Sequence, residues 1–155
     1  MDSVEPESRN WEWLQDLEVD TAGVYFIDGA ALDKMSAGAD PILAPGHVQV
    51  LVGPYLGIRA DTWDDGCYPI EVARKPDGTL SAVRVEYVTD VADVEGTWNP
   101  IGTVPITSGR LAVADLICAR SEDHRAELPC PRGEHLVEIF HTPGDVLGAR
   151  LTVEQ

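Results

Sequence analysis

Side chains able to coordinate a transition metal fall in one stretch of the chain: Cys118, His124, Cys130 and His135, spaced six, six and five residues apart. Two thiolates and two imidazoles suit a tetrahedral zinc ion, and a metal-dependent hydrolase would use such a set to activate water. None of the spacings is the close Cys-x-x-Cys pair that grips zinc from a single turn, so no metal is expected here. Carboxylates form a second group. Asp61, Asp64 and Asp65 surround Trp63, and Asp115 is followed by Glu122 and Asp123. Calcium needs six to eight oxygens from an ordered ladder of positions, which neither run supplies. Asp61 and Asp115 are expected instead to accept loop amide hydrogen bonds at strand ends.

Nucleophiles are no better placed. Ser108 lies in a Ser-Gly turn and lacks the strained Gly-x-Ser-x-Gly setting of a hydrolase, and Cys67 has no basic neighbour in sequence to lower its pKa. Glu71 and Glu138 each sit between apolar residues and are expected on the solvent face of a sheet, not as an acid and base pair. No catalytic residue and no cofactor are therefore expected, and the chain reads as a non-enzyme. Trp11 and Trp13, set among Glu12, Asp16, Glu18 and Asp20, suit an interface, as does Trp63 beside Asp64 and Asp65. Trp63 and Tyr68 would also be the stacking surface if the chain were a small-ligand module for carbohydrate.

The charge supports the interface reading. Across 155 residues, 27 acids against 11 bases give a net charge of -16 at pH 7, and residues 1–40 alone hold ten acids and two bases. Nucleic acid and anionic membranes both need cationic surface, so neither is an expected direct partner. A basic protein is. The acidic start, Met-Asp-Ser-Val-Glu-Pro-Glu-Ser, shows no export signal, and the odd count of three cysteines suits reduced thiols, so the expected compartment is the cytoplasm. The most apolar run, residues 48–58, is interrupted by Gly53, Pro54 and Gly57 and is too short to span a membrane.

These residues must be carried by strands. Residues 23–28 read as a strand and residues 29–38 as a short helix with Asp28 capping its start and Gly38 its end. From residue 47 onward, short runs of Val, Ile, Leu and Tyr separated by turn residues signal an all-β sandwich. Residues 66–82 align without a gap on residues 133–149, with Ile70 and Val72 falling opposite Val137 and Ile139; each copy reads as a hairpin. Upstream, residues 48–61 resemble 104–115, each a strand, a Gly turn, a strand and an Asp. The expected architecture is an all-β two-sheet sandwich made from a duplicated four-strand unit, with its copies at about 47–90 and 100–155 facing each other. A small acidic α/β extension would occupy residues 1–45, ahead of the sandwich at 46–155.

Gly109-Arg-Leu-Ala-Val-Ala-Asp115 and Tyr68-Pro-Ile-Glu-Val72, within residues 46–155, resemble a pattern of competence protein J, a bacterial nuclease inhibitor, and of β-sandwich immunity proteins of contact-dependent toxin systems. The second hairpin departs from it with Glu134-His-Leu-Val-Glu138. The resemblance implies an inhibitor or immunity protein that neutralises a basic toxin or nuclease, with no catalytic residues to carry over. Trp11, Trp13, Asp16, Trp63, Asp64 and Asp65 are the expected partner-binding residues.

Overall fold

Alternating burial along the strands builds the molecule. In Leu80–Glu86, for example, Leu80, Val83 and Val85 face the interior while Arg84 and Glu86 face out. A computed structural model of the chain describes residues 11–21, 23–45, 48–62, 65–87, 96–118, 122–142 and 145–153, with only the backbone for Cys118 and Asp145. In chain order the elements are β1 (Glu12–Val19), β2 (Gly23–Asp28), α1 (Ala30–Ser36), β3 (Ile42–Leu43), β4 (Gln49–Val52), β5 (Tyr55–Asp61), β6 (Gly66–Arg74) and β7 (Leu80–Glu86). They continue with β8 (Thr97–Ile106), β9 (Arg110–Ala114), β10 (Arg125–Pro129), β11 (Gly133–Thr142) and β12 (Asp145–Thr152). Two 3-10 turns, Leu116–Cys118 and Glu122–His124, lie between β9 and β10.

The strands make two antiparallel six-stranded sheets, ordered β1-β6-β7-β12-β11-β8 and β10-β9-β2-β5-β4-β3. The all-β sandwich is thus observed. Between the sheets lies one core containing Leu17, Phe26, Ile58, Ile70, Val72, Val85, Val137 and Leu151, with Ile139 packed half-buried against it. At Gly102 in β8 an added Cβ would stand 2.8 Å from Cδ1 of Ile58 in β5 of the other sheet, so the end of that side chain would have to shift. Helix α1 covers the outer face of the second sheet, burying Ala31, Leu32 and Met35 against Tyr25, Ile27, Val50 and Val52. Its end follows from Gly38, whose φ of 107° lets Gly38 and Ala39 donate to the carbonyls of Met35 and Lys34. No helix among the described residues is long and apolar enough to cross a membrane.

Two expectations about organisation change. The similar hairpins, β6–β7 and β11–β12, do not face each other across the core; they stand side by side in the first sheet, joined through β7 and β12. Their upstream strands also differ, since β4 and β5 pair within one sheet whereas β8 and β9 belong to different sheets. Residues 1–45, expected as an extension, contribute strands to both sheets. Strand β1 forms an edge of the first, and the fully buried β2 lies between β9 and β5 in the second. The physical reason is burial: Val24, Tyr25, Phe26 and Ile27 alternate between two apolar layers, so both faces of β2 must be covered.

Candidate functional site

An acidic corner forms where β1 ends beside the 3-10 turn Glu122–His124. Alternation along β1 buries Leu17 and Val19 and sends Asp16 and Glu18 outward, while a register shift between Trp13 and Gln15 changes the phase of the strand and turns Trp13 outward as well. Trp13 is 63% exposed, and its indole N–H donates to Oδ1 of Asp16 at 2.9 Å. Pairing of β1 with β6 sets Cys67 across from Glu18 and Gly66 across from Val19, so the exposed Asp65 leads into the same corner. Exposed Glu122 and Asp123 complete it from the other sheet's side. Desolvation and the carboxylates of Asp16, Glu18 and Asp123 raise the Cys67 thiol pKa, which keeps it protonated and a poor nucleophile.

The corner is held by a fully buried residue, Asp115. Its carboxylate accepts the backbone N–H groups of Asp20 at 2.8 Å and Thr21 at 3.0 Å and the Thr21 hydroxyl, while its own N–H donates to the His124 carbonyl at 2.9 Å. One side chain therefore fixes residues 20–21 against residue 124. As a result Nε2 of His124 lies 2.7 Å from Asp20 and 3.5 Å from Glu18. The hydrogen bond to Asp20, with the charges of Asp20 and Glu18, raises the imidazole pKa against its partial burial. Asp115 accepts loop amides as expected; Asp61 instead ends β5 exposed and pairs with Arg59.

Of the expected contact residues, Asp16 lies in this corner, Trp13 at the start of β1 reaches it through its bond to Asp16, and Asp65 adjoins it. Trp63 and Asp64 lie outside the described residues. Trp11 is half-buried, its ring 4.1 Å from the Arg84 guanidinium carbon, as one end of an array on the outer face of the first sheet. In that array Arg84 bonds Glu71, Arg150 bonds Glu138 and stacks on Trp98, and Arg84 stands directly across from Arg150. Glu71 and Glu138 face outward as expected. Three strand spacings separate them, roughly 14 Å, too far for shared acid and base work.

Among the described residues the hydrolase set does not assemble: His124 groups with Glu18 and Asp20 and not with Cys130 or His135. Cys130 is buried, and that burial, together with Asp28, pushes its thiol up to about 12. His135 is fully buried at the Pro131 carbonyl, and the Cys118 side chain lies outside the described residues. Ser108 donates its hydroxyl hydrogen bond to Asp28. Tyr68, the other half of the carbohydrate reading, is half-buried against Tyr87, with ring centroids 5.3 Å apart. Sequence reasoning missed Glu18, Asp20 and His124 as a group because 104 residues separate the last two. The sequence marked the parts separately, Glu18 and Asp20 in the acid-rich run around Trp13 and His124 in the Cys/His set, without joining them. Comparison with protein-family models, with curated proteins and with solved structures finds no match.

Proposed function

We propose that the chain is a non-catalytic protein-binding module, an inhibitor or immunity protein that docks this acidic corner on a basic toxin or nuclease in the cytoplasm. The observation that carries the reading is Trp13, a large aromatic ring left 63% exposed on an edge strand and flanked by carboxylates on a chain of net charge -16. A rigid ring supplies desolvated area for affinity, and the surrounding charge steers a cationic partner. Exposed carboxylates on β1 also stop this edge from pairing with another sheet, which favours docking through side chains. The exposed thiol of Cys67 suits a reducing compartment. The resemblance to competence protein J and to β-sandwich immunity proteins implies the same role.

The test is purification of the intact chain from its native host with its bound partner, followed by binding kinetics. Trp13→Ala is expected to speed dissociation at least about tenfold, while Asp16→Asn chiefly slows association. A captured partner that is acidic, or one that Trp13→Ala releases no faster, would overturn the reading.

A further inference from the structure

Glu18, Asp20 and His124 bring three ligand atoms to within 4.8 Å of one another, one imidazole nitrogen and two carboxylate oxygens. They come from the end of β1, the residue that follows it, and the 3-10 turn ahead of β10. This is a mixed donor set, not an acidic patch alone, and its imidazole is directional. The His124 side chain is only 11% exposed, and Nδ1 is buried with no hydrogen-bond partner. All of the ring's polar bonding therefore points through Nε2 toward the two carboxylates. Both carboxylates are exposed, so an ion can reach them from solvent.

We propose that Glu18, Asp20 and His124 form a site for a divalent first-row transition ion such as zinc or manganese. With metal–ligand distances of about 2.0–2.2 Å, neighbouring ligand atoms stand roughly 3.0–3.5 Å apart. From Nε2, Glu18 at 3.5 Å stands at the upper end of that range and Asp20 at 2.7 Å, a hydrogen bond, just below it, so an ion would enter by replacing that hydrogen bond and drawing the two carboxylates in by side-chain rotation. Nitrogen with two oxygens suits zinc, manganese and their neighbours better than calcium or magnesium, which take oxygen shells. Three protein ligands leave positions for water or for a side chain of a docking partner. Asp115 is a positioning residue here, because it fixes the backbone of Asp20 and Thr21 and meets the main chain of His124. The orphan Nδ1 predicts modest affinity, since metal-bound imidazoles usually donate their other N–H to an acceptor. The site lies in the same corner as the docking surface, but the inference does not depend on the docking reading.

The experiment is titration of untagged, metal-stripped full chain with zinc and with manganese by calorimetry, together with cobalt absorption as a report on coordination. One equivalent is expected to bind. His124→Ala and Glu18→Gln should each weaken binding by about tenfold or more, whereas Glu122→Gln and Asp123→Asn, which remove the same charge nearby, should leave it within about twofold. Because His124→Ala could disturb the fold, broadening of the wild-type His124 resonances by manganese gives an independent measure. Absence of binding, equal weakening by Glu122→Gln, or unbroadened His124 signals would overturn the proposal. Trp13→Ala separates the two ideas, since it should leave metal affinity unchanged whatever it does to a partner.

Discussion

Asp28 is 1% exposed and joins the start of helix α1 to the β8–β9 turn. Burial by itself raises a carboxyl pKa, but five donors outweigh it here: the N–H groups of Ala30, Thr107 and Ser108 and the hydroxyls of Thr107 and Ser108. They hold Asp28 at about 2, below its ordinary 3.8. Because the folded value is the lower one, the stabilisation is complete above the unfolded value and is lost as pH falls through about 2. At 1.36 kcal/mol per pH unit the shift is worth roughly 2–3 kcal/mol. Urea unfolding of Asp28→Ala is expected to show a loss of about that size at pH 7, narrowing toward pH 2. A gap equal at both pH values would contradict the hydrogen-bond account.

Helix α1 shows what local sequence can specify. Asp28 at its entry and Gly38 at its exit are both readable without coordinates, because one supplies an acceptor for an orphan N–H and the other a backbone conformation that L residues avoid. Replacing Gly38 with Ala should cost about 1 kcal/mol in thermal unfolding without shifting the midpoint of any partner titration. Strand β2 was legible to the residue for a similar reason, since aromatic and branched side chains in an unbroken run leave little alternative. Pairing was less legible. Nothing local distinguishes hairpins that face each other from hairpins that adjoin, because β6 and β11 offer the same alternation either way; where β7 and β12 do pair, Arg84 and Arg150 stand opposite, and a separate Glu partner for each offsets their repulsion. The candidate site divides likewise. Trp13 and Asp16 were visible as neighbours in sequence, whereas His124 meets Asp20 through tertiary contacts such as those of Asp115 and of Gln15 with the Arg125 carbonyl.

A net charge of -16 acts on the molecule as one object, over about one Debye length, near 8 Å at physiological salt. Association with a cationic partner should therefore slow by about tenfold or more between low and high salt while dissociation changes little, as stopped-flow mixing would show. An association rate indifferent to salt would leave the acidity as a solubility device. The order of the sheets has a different consequence, for the time course of synthesis. Strand β2 must wait for β9, whose partners lie 83–89 residues later, and β7 must wait for β12, whose partners lie 62–70 residues later. While residues 145–152 are still within the ribosome, β7 and β11 each present an unpaired edge. Such distant pairings place folding on the millisecond-to-second scale, and the half-made first sheet is the species most exposed to self-association. A chain stopped before Asp145 is expected to sediment with the insoluble fraction, and recovery of that fragment as a soluble, cooperatively melting monomer would show that the first sheet closes without its central strand.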